Sequence, residues 1–306
     1  MDGRWISGCR SCPMRAVAAR ARAATLLVTL IVLIPAIVRG QALSLSIASR
    51  SLQPGEVVIA SVIAPPDTTA VSVSGFGAET AAVKGQDGTW QALLGIDLDT
   101  RPGTYTVVAR ATAPSPAETR QRLMVQPKRF ARRTLRVAPQ FVDPPPEVLE
   151  RITTEAAALR DAYARTSTEP AWHEGFARPV PDRANSSFGV RSVFNGQPRS
   201  PHTGTDFSSP EGRPVVAPAG GRVVIARDLF FTGNTVVIDH GLGVFSLLAH
   251  LSRIDVIEGD VVAGGAPVAL VGATGRVTGP HLHWALRIGT ARVDALAALA
   301  LLPMSR

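Results

Sequence analysis

The sequence predicts a mainly β protein with a β-sandwich-like N-terminal region, a short helical linker and a C-terminal antiparallel β-sheet region. Three observations lead there. Short runs alternate apolar and polar residues, as half-buried strands do. Gly, Pro and Asp clusters punctuate those runs at short intervals. Only the segment near residues 146–165 has the Ala, Leu, Glu and Arg composition of a helix. At 306 residues and 45% hydrophobic content, the chain can fill two cores.

The first 42 residues read as a leader. AATLLVTLIVLIPAIV, residues 23–38, is a run of 16 uncharged residues behind Arg10, Arg15, Arg20 and Arg22. Basic then apolar is the order of an export signal, and the run is shorter than the ~20 residues that span a bilayer comfortably. Gly40 to Ala42 supplies small residues for cleavage after Ala42; an uncleaved N-terminal anchor is the alternative. Met14 opens a more conventional leader than the residues before it, and a start there would remove Cys9 and Cys12, the only cysteines. Their single C-x-x-C has no second pair, so it is weak evidence for zinc or redox chemistry, and no disulfide framework holds the rest. Residues 1–42 carry six arginines and one aspartate, leaving 26 basic against 23 acidic residues beyond them. So mild a surface, in an exported chain, argues against a nucleic-acid partner.

Over residues 43–126, LSLSIAS, EVVIASVIA, TAVSVSG, TWQALLGI and TYTVVARA read as strands, separated by QPGE, APPD, GQDG and TRPG. A small sandwich, immunoglobulin-like in outline, is expected. It contains no histidine, and a spacer or a module binding cell-wall or division partners is the most it supports. Residues 127–171 form the linker: a basic run, three successive prolines, and then a helix opened by Pro146. Residues 172–303 return to β patterning, with candidate strands near 221, 235, 244, 267 and 281.

Chemistry gathers in this last region, which holds all six histidines: His173 in its opening loop and five beyond residue 200. In HLHWALRI, strand alternation puts His281, His283, Ala285 and Arg287 on one face, with the two histidines about 7 Å apart at Cα. Leu282, Trp284, Leu286 and Ile288 form the packing face. In SPHTGTDF, His202 and Asp206 flank Gly204, and imidazole nitrogen and carboxylate oxygen are both good zinc donors. His250 ends an apolar strand. His240 precedes a glycine-rich turn and suits a structural role there, and His173 lies in a loop without further signals.

The order HTGTDF, AHLSRIDVIEGDVVAGG, VGATGRVTGPHLHWAL resembles the lysostaphin-type, or LytM-domain, zinc metallopeptidases, which cut peptide cross-links of bacterial peptidoglycan. The resemblance spans residues 185–296, including SFGVRSVFNGQPRSPH and ARVDAL. It implies an antiparallel β fold with a groove, one Zn2+ per chain held by His202, Asp206 and His283, and catalytic roles for His250 and His281. It further implies an exported, extracytoplasmic, periplasmic endopeptidase whose partner is peptidoglycan and whose nucleophile is metal-activated water. Three positions depart from the family pattern. Leu248 replaces a common tyrosine, with the expected loss of a groove-side hydroxyl; Ala285 replaces glutamate or glycine; and Ala295 replaces proline.

The alternative class is a non-enzymatic LytM-domain regulator that activates other cell-wall hydrolases, but such proteins lack the ligand set. A biotinyl or lipoyl carrier is excluded, because residues 201–306 contain no lysine. A serine or cysteine nucleophile is disfavoured by the absence of a G-x-S-x-G elbow and of cysteine beyond the leader.

Overall fold

The computed structural model describes residues 42–113, 116–136, 142, 144–172, 174–185 and 188–304. Residues 1–41, which hold all but the last residue of the expected leader of residues 1–42, and His173 lie outside the described residues. Among the described residues, no helix is long and apolar enough to cross a membrane. Gly40–Arg306 fall into one compact unit.

Eight strands build the N-terminal sandwich: β1 (Ser44–Ser49), β2 (Val57–Ile63), β3 (Ala70–Gly75), β4 (Ala78–Ala81), β5 (Val83–Lys84), β6 (Trp90–Gly95), β7 (Gly103–Ala113) and β8 (Ala117–Val125). They form two antiparallel sheets ordered β1-β2-β6-β5 and β4-β3-β7-β8. Val58, Ala60, Val62, Ala92 and Leu94 point into the core between the sheets. Their neighbours Val57, Ile59 and Leu93 point the other way, into the core of the C-terminal region. Burial on both faces explains why EVVIASVIA reads as an almost unbroken apolar run.

The basic segment expected as a plain connector contributes a strand. β9 (Arg132–Leu135) is followed by α1 (Pro146–Ala164), and β9 pairs in parallel with β10 (Arg191–Phe194). Phe130 anchors this departure: its ring packs edge-on to Phe188 at 6.3 Å, over the glycine backbone at Gly189. Proline at the first turn and Glu147 beside it start α1.

The short β11 (Gln197–Pro198) pairs with β10 in a three-stranded sheet ordered β11-β10-β9, and the C-terminal sheet begins with β12 (Thr205–Phe207) and β13 (Pro214–Val216). Long strands follow: β14 (Gly221–Leu229), β15 (Gly233–Asp239) and β16 (Val244–Ile254). Then come β17 (Val261–Val262), β18 (Pro267–Val271), β19 (Leu282–Ile288) and β20 (Ala291–Val293), closed by α2 (Ala295–Leu301). Its main path is β12-β19-β16-β15-β14-β17. Val244, Leu248, Trp284 and Leu286 fill one face, and burying each large side chain contributes roughly 1.5–3 kcal/mol. On the other face Phe245, Leu247 and Ala249 meet Leu159, Ala162 and Tyr163 of α1. The Tyr163 and Phe245 rings meet edge-on at 5.2 Å, and the Arg287 guanidinium lies 4.6 Å from the Tyr163 ring centre. α1 thus covers one end of this face and leaves the end carrying His283 open.

α2 was not expected from the sequence, because seven residues are too short to display a helical period. Its signal is Asp294, whose side chain accepts from Leu296 N at 3.1 Å as an N-cap. Ala295 occupies the first helical position, where proline is also at home, so that departure from the family pattern leaves the backbone unchanged.

Candidate metal centre and its groove

The site is assembled by strand register. Asp206 on β12 lies directly opposite His283 on β19, and Ala249 on β16 lies opposite His283 on its other side. His202 reaches the same point from the loop before β12, held by its N–H donating to Val190 O at 2.9 Å and its carbonyl accepting from Gly189 N at 2.8 Å. Gly204 lets this loop close: a Cβ there would stand 2.6 Å from the His283 ring.

His250 arrives through a bulge. Asn234 pairs with Leu251 and Val236 with Leu248, so Ala249 and His250 together face Thr235. His250 takes a φ of 65°, and its N–H donates to Thr232 O at 2.9 Å. Such a bulge re-aims one side chain of a strand. It also keeps Leu248 on the core face at 0% exposure. The expected loss of a groove-side hydroxyl at Leu248 is therefore corrected, since this position does not line the groove. Ala285 faces α1, packed among the cluster of Phe245 and Leu247.

Three donors converge. His283 Nδ1 lies 2.9 Å and His202 Nε2 3.2 Å from Asp206 Oδ1, and one ligand atom from each residue falls within 4.8 Å of the others. Tetrahedral zinc with bonds of about 2.0–2.2 Å places its donors roughly 3.3–3.6 Å apart, so two imidazoles and a carboxylate at these spacings fit a divalent cation. The other two histidines face this point with defined tautomers. His250 Nδ1 is 2.9 Å from Thr274 O, and His281 Nδ1 is 2.9 Å from Gly279 O. A carbonyl only accepts, so each Nδ1 carries a hydrogen, and in the neutral ring that leaves the lone pair on Nε2. His281 Nε2 stands 3.9 Å from Asp206 Oδ1, and the His250 and His281 rings are 4.8 Å apart.

Burial sets the charge states. It would push the Asp206 carboxyl up, but the His202 and His283 contacts outweigh it and hold the group well below the usual carboxylate range. Burial lowers His283, and burial followed by the charges of His283 and His281 lowers His250 to about 3. Both imidazoles are therefore neutral at pH 7, the form that binds a metal or accepts a proton.

A groove of about 500 Å³ opens over these groups, bounded by His202, His250, His281, Phe194, Phe231 and Arg276. His240 lies elsewhere, fully buried. Trp284 Nε1–H donates to Ser246 Oγ at 3.0 Å, Ser246 donates to His240 Nε2 at 2.8 Å, and His240 Nδ1–H donates to Gly220 O at 2.7 Å. The sequence reading passed over Ser246, Thr274 and Arg276; only the glycine-flanked TGRVTG between two strands hinted at the last two.

An antiparallel β groove with a His–Asp–His donor set and two imidazoles aimed at it belongs to the class of metal-dependent hydrolases. Residues 200–295 match the model of peptidase family M23. A solved chain from Pseudomonas aeruginosa described as an M23 peptidase aligns over 81% of this chain and 95% of its own length, at 33% identity and a TM-score of 0.64. The chain belongs to peptidase family M23. It is also similar to two Vibrio cholerae peptidoglycan DD-endopeptidases: ShyB at 43% identity over 32% of this chain, and ShyA at 38% over 46%. The matched regions span 23% and 31% of those two proteins.

Proposed function

We propose that this chain is an exported zinc metalloendopeptidase that hydrolyses peptide cross-links of bacterial peptidoglycan. The observation that carries the reading is the convergence of His202, Asp206 and His283 on one point, with His250 and His281 beside it. Two nitrogens and one oxygen suit zinc, and three protein donors leave a coordination position for chemistry. The resemblance to the Vibrio endopeptidases supports the substrate class, and the basic and apolar order of residues 10–38 supports export.

When bound, the cation supplies a Lewis acid that polarises the scissile carbonyl and acidifies water. The chain's own residues do the rest. The groove seats the peptide across the open end of β19 and β16. His250 and His281, each held by a carbonyl at Nδ1, present Nε2 to the reacting amide. One takes the proton of the attacking water at Nε2 and the imidazolium so formed delivers it to the leaving amine, while the other Nε2 accepts a hydrogen bond from the water, so that the hydrolysis balances.

The test is mass spectrometry of muropeptides released from cross-linked peptidoglycan by the purified protein, with and without a chelator. Cross-linked dimers should fall to monomers, and the chelator should stop it. A protein that binds one zinc yet leaves dimers intact across pH and salt overturns the proposal and favours the regulator.

A further inference from the structure

Two of the three metal donors sit on slender supports. Asp206 lies on β12, which has three residues, and His202 lies on the loop before it. His283, by contrast, sits on β19 between β12 and β16 and takes its place from the sheet itself. The turn of residues 50–56, between β1 and β2 of the sandwich, reaches the supports of both His202 and Asp206.

The first path leads to Asp206. Successive side chains of a strand point to opposite faces, so Thr205 points away from the side of β12 that presents Asp206. Its buried hydroxyl donates to Asp294 Oδ1 at 3.0 Å. The other oxygen, Asp294 Oδ2, accepts from Arg50 Nη2 at 2.8 Å, and the Asp294 backbone N–H donates to Gly55 O at 2.8 Å. Arg50 is itself gripped by Glu56, with Nε 3.0 Å from Oε2 and Nη2 2.9 Å from Oε1. Glu56 is buried and also takes Lys128 Nζ at 3.3 Å, so two carboxylates face two cations. Only a planar, forked guanidinium reaches both carboxylates in this way.

The second path leads to His202. Gly55 has a φ of 85°, and a Cβ there would stand 2.4 Å from Phe188 Cε1, so the turn lies directly against that buried ring. The next residue, Gly189, donates its N–H to His202 O at 2.8 Å. One turn of the sandwich thus touches both supports.

We propose that the turn of residues 50–56 is a positioning element of the metal centre, in which Arg50 sets Asp206 through Asp294 and Thr205, and Gly55 sets His202 through Phe188 and Gly189. This rests on the metal-centre reading above and adds the sandwich to what holds the donors. Removing an outer partner of a metal ligand lowers metal affinity about 10–100-fold.

The experiment measures zinc affinity of the full chain by competition titration, and the visible spectrum of its cobalt(II) form, which reports donor geometry. Thr205→Val and Arg50→Met should each lose about tenfold in affinity and shift the spectrum. Thr205→Ser should restore both, and Arg50→Lys should restore them in part. Gly55→Ala should also lose affinity. Two matched variants separate positioning from general destabilisation. Arg292→Ala breaks another ion pair of the same interface, and Gly88→Ala forces alanine to a φ of 82° in open space. Both should leave affinity and spectrum unchanged. Unaltered zinc binding in Thr205→Val or in Gly55→Ala, or an equal loss in Arg292→Ala and Gly88→Ala, overturns the positioning role while leaving the metal-centre reading intact. Wild-type protein that takes up neither zinc nor cobalt overturns that reading, and the positioning role with it.

Discussion

At the scale of single residues, Gly204 has the smallest side chain and one of the largest expected effects. The Cβ of Gly204→Ala would stand 2.6 Å from His283 Cε1 and Nε2 and 2.7 Å from Trp284 O, so the imidazole must leave its position opposite Asp206. Zinc affinity should fall by at least tenfold in a competition titration while the circular dichroism spectrum is retained. A second residue-scale expectation concerns His240. Burial lowers its folded pKa to about 4, so the native protein keeps it neutral between that value and the unfolded pKa of about 6.5. Only the unfolded chain takes up the proton in that window. Stability is therefore complete above about pH 6.5 and falls by up to roughly 3 kcal/mol as pH drops towards 4. Denaturant titrations across that range should show the loss, and it should shrink in His240→Gln.

At the scale of elements, the bulge in β16 and the loop that buttresses it decide where His250 points. Thr274 ties the two together, donating to Leu251 O and accepting from Asn234 N, both at 2.9 Å. Thr274→Val keeps the shape but leaves a carbonyl and an N–H without their partner, at a cost of about 1–3 kcal/mol. Turnover should fall about tenfold with zinc content unchanged, as His250 loses its orientation while the donors do not. This element was illegible in the sequence. LLAHLSRI shows an apolar strand ending in histidine, and nothing in residue order reports an extra residue opposite Thr235. By contrast, the strand periods of β2, β3, β6 and β7, the composition of α1 and the H-x-H spacing are local properties, and local chemistry displays them. What the sequence lacked were relations between distant segments: β9 beside β10, α2 capped by Asp294, and Leu248 turned to the core.

At the scale of the molecule, the sandwich packs against the peptidase sheet and is not a detached spacer. Arg292 on β20 donates to both oxygens of Asp97, at 3.0 and 2.6 Å, and also reaches Asp99 at 2.9 Å. Arg50 bridges Glu56 at 2.9 Å and Asp294 at 2.8 Å. The other Asp294 oxygen accepts from the buried Thr205 hydroxyl at 3.0 Å, one residue from Asp206. Gly95 permits the apposition, because a Cβ there would stand 2.5 Å from Ala291 Cβ. Unfolding should be one cooperative transition by calorimetry. Arg292→Ala should cost about 1–3 kcal/mol by removing charge-assisted bonds to a half-buried carboxylate. Gly95→Leu should wedge the interface and separate two transitions; a single unchanged transition in that variant would show that the contact carries no coupling.

The division of labour between the two histidines of HLH tests the central claim most directly. Zinc content and muropeptide turnover are measured side by side in wild type, His283→Ala and His281→Ala. Wild type should hold one zinc per chain and cleave, and His283→Ala should lose both properties. His281→Ala should keep the zinc and lose at least about 10²-fold in turnover, as expected for removal of an acid–base group. Zinc retained in His283→Ala, or lost equally in both variants, would contradict the account.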